Sequence, residues 1–310
     1  MEAEHHQFRV MGCDAHVVLV DPSPTAMTAA VEHLHDLDRR WSRFRHDSEL
    51  SMLNTAQGDW VEVSVATMVL VTTMQRAAAD TAAWFDPTFL FEVLETGYVH
   101  SADDPGRRSV VVDLPCPGLS IDDAEIDTSR SRIRLPGGLA VDAGGIGKGL
   151  AADLTVEMLL AGGTAGALVS IGGDMTAAGR APDESGWTID VEHPLEPGTI
   201  CTRLTLSGGG VATSSTRKRR SVSDGVSRHH TIDPRTRQSA ATDLAAVTVI
   251  APTGWQAEAH ATALLLNGSA LADAYAAERS LSGFAMTNDG AEVRFGSLAS
   301  PSNALTEAVR

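Results

Sequence analysis

A run of glycines opens into a helical repeat at Val141-Asp142-Ala143-Gly144-Gly145-Ile146-Gly147-Lys148-Gly149-Leu150-Ala151-Ala152-Asp153-Leu154. The run closes an extended stretch from Ser131 to Val141. Ile146, Leu150, Leu154 and Met158 then recur every four residues, which predicts an apolar stripe on a helix reaching about Leu160. Glycines at the entry let the backbone approach a ligand closely, and a helix start offers unpaired N–H groups with a partial positive charge. Lys148 adds a full charge in the first turn and Asp142 a carboxylate just outside it. The combination suits an anion, above all a phosphate accompanied by a metal. Two familiar phosphate motifs fail here. A P-loop pattern ending at Gly147-Lys148 has Asp142 in place of its first glycine and Gly149 in place of its final Ser/Thr. A Gly-x-Gly-x-x-Gly fingerprint starting at Gly145 meets Leu150 in place of its third glycine.

The formal net charge is −16 over 310 residues. That balance excludes general binding to nucleic acid or to anionic membranes, which need basic surfaces. An acidic chain that takes an anionic ligand must use a local device: a helix end, a lysine or a metal. Cys13, Cys116 and Cys201 are odd in number and far apart, giving neither zinc spacing nor a disulfide framework. The first residues are acidic and polar, and no run approaches the length of a membrane span, so a cytoplasmic location without membrane insertion is expected.

In chain order, Phe8 to Val20 reads as a first strand and Thr25 to about Phe44 as a helix. A second helix is predicted from Val65 to Ala83, with Ser64 as its N-cap, ending at Trp84-Phe85-Asp86-Pro87-Thr88. Glu92 to Gly118 reads as loop with short strands, and Ile121 to Leu135 as a strand or hairpin. Beyond the central helix, Ala167 to Ile171 is an apolar strand ending in Gly172-Gly173-Asp174. Trp187–Val191, Cys201–Leu206, Val211–Thr213 and Val247–Ala251 are further strands. Trp255 to Leu266 is a helix on which Glu258 and Thr262, four apart, share a face. A helix from Leu271 to Glu278 and a hairpin from Gly283 to Phe295 close the pattern. Arg217-Lys218-Arg219-Arg220 is the one basic cluster, read as a solvated loop. No linker divides the chain, so residues 1–310 are read as one α+β domain.

Short polar groups end many of the apolar strands: Asp86, Asp142, Asp174, Thr213-Ser214, and His229-His230 with Asp233. Scattered residues of this kind build loop-borne sites. Adjacent histidines on a strand point to opposite faces, so at most one of the pair can enter such a site. Gly-x-Ser-x-Gly, His-Glu-x-x-His and paired-cysteine motifs are absent, which ranks triad hydrolases and zinc chemistry low.

From Met11 to about Leu266 the motif order resembles the FAD:protein FMN transferases of the ApbE family. Met11-Gly12 is similar to the family's Met-Gly-Thr, Ser42-Arg43-Phe44 with Ser48-Glu49 and Asn54 to its next block, and Phe85-Asp86-Pro87-Thr88 to its Phe-Asp-Pro element. Asp142 to Asp153 resembles the family's Asp-x-Gly-Gly-x-x-Lys-Gly-x-x-x-Asp core. Ile171-Gly172-Gly173-Asp174, Ala212-Thr213-Ser214, His230-Thr231-Ile232-Asp233-Pro234 and Ala257 to Thr262 follow in order. The resemblance implies an α+β fold related to the T-fold, with mixed or antiparallel sheets and packed helices. It implies FAD as substrate, contacted by Met11, Phe85, Asp86, Asp142, Lys148, Gly172, Gly173, Asp174, Thr213 and Ser214. It implies magnesium held by the Gly145 carbonyl, Glu258 and Thr262, with His230 assisting deprotonation of the acceptor. The implied reaction moves FMN from FAD to a Thr/Ser hydroxyl in the flavinylation motif of a target protein and releases AMP. An FAD pyrophosphatase giving FMN and AMP, and an FAD-binding protein without turnover, are the rival readings. Four positions depart from the family: Glu258 replaces the usual Asp, Ser215 and Arg237 replace glycines, and Cys13 stands where Thr is common.

Overall fold

The first apolar run is two strands. Met11 and Gly12 both hold left-handed backbone, at φ 53° and 71°. A two-residue turn of that hand matches the twist of the strands it joins. Ala3–Val10 and Cys13–Val20 therefore pair antiparallel, from Val10 opposite Cys13 to Ala3 opposite Val20. A computed structural model describes residues 3–109, 115–217, 220–223 and 226–299. Lys218 and Arg219 of the basic cluster lie outside the described residues.

The hairpin forms one edge of an eight-stranded sheet. Its strands lie in the order Ala3–Val10, Cys13–Val20, Gly166–Ile171, Asp174–Gly179, Gly209–Ser215, Leu244–Ala251, Ser282–Thr287 and Glu292–Phe295. Every neighbouring pair is antiparallel. Leu244–Ala251 is buried at every residue, which explains a sequence that is apolar apart from Thr248: a strand covered on both faces has no reason to alternate. One sheet face packs Val18, Val20, Leu168, Val211, Ile250 and Phe284 against the hairpin Trp187–Glu192 and Ile200–Leu206, through Trp187, Ile189 and Leu204.

The helices are α1 (Ala26–Trp41), α2 (Glu49–Thr55), α3 (Val65–Asp80), α4 (Leu90–Glu95), α5 (Gly147–Ala161), α6 (Gly254–Asn267) and α7 (Ser269–Glu278). Ser64 caps α3 as predicted, accepting from the Thr67 N–H at 3.3 Å. The short α4 runs from Leu90 into the stretch from Glu92 read as loop, and it has no side-chain cap that would have marked its start. On α5 the buried face runs through Leu150, Ala151, Ala152, Thr155, Val156 and Leu159. Leu154 and Met158, on the predicted stripe, are only half-buried. α6 packs on the strands Gly209–Ser215 and Leu244–Ala251.

The chain divides into two compact units. The first comprises Met1–Leu34, Lys148–Lys218 and Ala241–Arg310, and contains the large sheet, most of α5, and all of α6 and α7. The second comprises His35–Gly147 and Arg219–Ala240. It holds α2, α3, α4 and a three-stranded sheet of Trp60–Glu62, Arg132–Arg134 and Glu125–Asp127. A small cluster of Phe89, Val93 and Ile232, with Tyr98 against it, joins its two segments.

Candidate active site

In the first unit the predicted residues gather at the start of α5. The strand Gly166–Ile171 turns through Gly172 and Gly173, both left-handed at φ 62° and 97°, into Asp174. A Cβ at Gly172 would lie 2.8 Å from the Cys13 sulfur, so both backbone hand and space require glycine there. Asp174 is 2% exposed. Its Oδ1 accepts the Thr213 N–H at 3.1 Å, and its Oδ2 takes the Lys148 ammonium. Lys148 Nζ also lies 3.5 Å from Oε1 of Glu258, which is 3% exposed. Glu258 Oε2 accepts the Gly149 N–H at 2.8 Å. One N–H of the helix start that the sequence marks as an anion cradle is thus taken by a carboxylate of the protein itself.

Glu258 Oε1 accepts no hydrogen bond. Burial pushes this carboxyl up to about 7; the Asp174 charge adds to the effect and Lys148 opposes it. One turn along α6, Thr262 Oγ1 lies 3.2 Å from the Glu258 carbonyl and 3.0 Å from Ser214 Oγ. Thr213 Oγ1 is 2.8 Å from Thr248 Oγ1. Lys148, Asp174, Glu258 and Thr213 are therefore brought together, with Ser214 against Thr262. Met11 sits in the turn of the edge hairpin, in the left-handed region that non-glycine residues rarely adopt.

Asp153 has a role that the sequence left unread. Its two oxygens accept the first N–H groups of α6, from Gly254 at 2.7 Å and Trp255 at 2.9 Å, and the Thr176 hydroxyl at 2.6 Å. A carboxylate on these donors satisfies the helix end and fixes where α6 begins, and with it Glu258 and Thr262. Among the described residues no three His, Cys, Asp or Glu side chains form a metal cluster. A metal in this unit would depend on one carboxylate and hydroxyl oxygens, a donor set suited to magnesium rather than zinc. The buried Glu258 oxygen without a hydrogen bond fits such a cation.

The second unit holds the remaining predicted residues. Phe85 is buried, and Asp86 Oδ1 accepts both the Thr88 N–H at 2.8 Å and the Thr88 hydroxyl at 2.6 Å. The Pro87 carbonyl between them accepts the Asp142 N–H at 2.8 Å, which joins the Phe-Asp-Pro-Thr turn to the glycine run. Asn54 pairs with both backbone groups of Val141, each at 2.8 Å. Gly145 is left-handed at φ 82°. The Asp142 carboxylate lies 3.2 Å from Arg43 Nε. The two histidines separate: buried His229 donates through Nε2 to the Ala240 carbonyl at 3.0 Å, while half-buried His230 meets the Tyr98 ring edge-on at 6.1 Å. Asp233 is held by Arg235, whose hydrogen bonds keep its carboxyl below the usual range. Arg237 is left-handed at φ 54° and donates to Glu92 at 2.6 Å, so this position has the conformation that glycine adopts freely.

The model of the ApbE family matches residues 11–285. The FAD:protein FMN transferase of Salmonella typhimurium is 27% identical over 265 residues, covering 80% of this chain and 73% of that protein. The flavinyl transferase ApbE of Pseudomonas stutzeri, solved in its apo form, superposes with a TM-score of 0.77 at 26% identity, over 96% of this chain and 98% of its own. The ApbE protein of Thermotoga maritima shares the fold, with a TM-score of 0.81 at 23% identity over 99% of this chain and 100% of its own.

Proposed function

We propose that this chain, which belongs to the ApbE family, is an FAD:protein FMN transferase that moves FMN from FAD to a Thr or Ser hydroxyl of a target protein. The observation that carries the reading is the family match across residues 11–285, with the motifs in one unbroken order. In the reaction, the acceptor oxygen bonds to the FMN phosphorus and the bond from that phosphorus to the bridging oxygen breaks. AMP leaves with the electron pair, and the hydroxyl proton passes to His230. Lys148, with the N–H groups around the glycine turns, balances charge on the diphosphate. Magnesium, when bound, supplies further charge neutralisation. Glu258 and Thr262 are its proposed ligands in the first unit, supported by the buried Glu258 oxygen that accepts no hydrogen bond. The Gly145 carbonyl is the third ligand that the family resemblance implies.

Met11, Phe85, Asp86, Asp142, Gly172, Gly173, Asp174, Thr213 and Ser214 are the proposed FAD contacts, and residues 1–310 are proposed to serve this single activity. Among the described residues no helix is long and apolar enough to cross a membrane. A cytoplasmic setting is part of the proposal. The test is incubation of the purified chain with FAD, magnesium and an acceptor protein carrying a Thr/Ser flavinylation motif. Covalent flavin on the acceptor with one AMP per flavin is expected, lost in EDTA and in Glu258→Ala and Thr262→Ala, both of which retain FAD. FMN and AMP free in solution would identify a pyrophosphatase instead, and intact bound FAD a binding protein.

A further inference from the structure

Arg43 is 4% exposed, yet it carries a full charge into the second unit. A buried guanidinium persists only where its donors are met, and here they are met in three directions. Nη1 donates to Ser109 Oγ, Nη2 donates to the Tyr98 carbonyl at 2.9 Å, and Nε lies 3.2 Å from Asp142 Oδ2. The guanidinium also lies over the rings of Phe44, at 4.2 Å, and Tyr98, at 4.6 Å. The Tyr98 ring in turn meets His230 edge-on at 6.1 Å. Asp142 heads a run of Ala143, Gly144 and Gly145; the Gly144 N–H donates to its Oδ1 at 3.3 Å, and Arg43 holds the other oxygen, Oδ2.

We infer that Arg43 is a positioning residue: it orients the Asp142 carboxylate directly and, by bracing Tyr98, the His230 ring. The inference rests on the functional reading above, in which Asp142 contacts FAD and His230 takes the acceptor proton. Lysine would keep the charge and lose the planar fork, so it cannot meet Ser109, Tyr98 and Asp142 together. Arg43→Lys is therefore the discriminating substitution.

The experiment is a pair of double-mutant cycles, read on FAD binding and on transfer. A positioning role makes the losses overlap, whereas a general structural role makes them multiply. Arg43→Lys is expected to weaken FAD binding about tenfold, the size of one charge-assisted hydrogen bond, and to weaken it little further in an Asp142→Ala background. It is likewise expected to lower kcat in the parent chain and hardly at all in His230→Ala. Ser109→Ala, which removes one guanidinium partner and disturbs packing less, is expected to give smaller losses with the same overlap. Losses that multiply in both cycles, or an Arg43→Lys protein with unchanged FAD affinity and kcat, overturn the inference. A parent chain that binds no FAD overturns the functional reading itself, and the inference with it.

Discussion

Burial sets the chemistry of Glu258. Its carboxyl rises from 4.5 to about 7 because the charged form is poorly solvated, and Asp174 adds repulsion. Between those two values the folded chain holds a proton that the unfolded chain has released. Stability of the metal-free protein must then fall as pH rises from about 4.5 to about 7, and level off above. Denaturation midpoints in EDTA across pH 5 to 8 should show this slope, and Glu258→Gln should reduce it to the part that Asp153 contributes, whose carboxyl burial also raises. The comparison also separates Glu258 from His16, whose pKa is lowered by burial and by His5 and which acts in the opposite sense. An identical slope in Glu258→Gln would place its source elsewhere. At the proposed magnesium site the same proton would compete with the metal, so stabilisation by added magnesium should grow with pH through that range. No local pattern signals this coupling, or Arg43 reaching Tyr98, because each depends on residues brought together from distant parts of the chain. What the sequence did show was the residue types that end the strands.

At the level of elements, the long periodic segments were legible and the exceptions have local causes. The helices over Ala26–Trp41, Val65–Asp80, Gly147–Ala161 and Gly254–Asn267 all lie where apolar spacing places them. The turn at Met11-Gly12 escaped because methionine is not a turn residue and apolar side chains flank it on both sides. The stripe on α5 drifted because alanines and Thr155, which a search for large apolar residues passes over, form much of its buried face. Small residues also decide how α5 meets α6. A Cβ at Gly149 would lie 2.3 Å from the Gly254 carbonyl oxygen, so the glycine that breaks the P-loop pattern is here a packing requirement. Helix propensity alone would make Gly149→Ala stabilising by about 1 kcal/mol. Backbone overlap should reverse the sign, to a net loss of about 3 kcal/mol, near the upper end for overpacked cores. It should also displace the N–H that Glu258 Oε2 accepts. Urea midpoints test this, and a variant as stable as the parent would show that the two helices separate at little cost.

For the whole molecule, chain order and spatial order disagree, and no local pattern records the difference. Residues 35–147 and 219–240 form one unit, while the other is assembled from three separate segments. The strand Cys13–Val20 must wait for Gly166–Ile171, its neighbour in the sheet, across that whole interval. Contacts so distant in sequence slow folding, because loop closure precedes any gain from pairing. They also make each half of the chain incomplete. A fragment of residues 148–310 would keep six strands of the large sheet and lose the hairpin that covers Gly166–Ile171. That strand is buried at every residue but Ser170, and without the hairpin it becomes an apolar edge of unpaired N–H and C=O groups. The fragment alone should therefore associate into large species on size-exclusion chromatography, and co-expression with residues 1–147 should return it to a soluble one-to-one complex. A monomeric 148–310 with a cooperative melt would mean that the six strands form a complete sheet, with the hairpin an addition to its edge rather than part of its core.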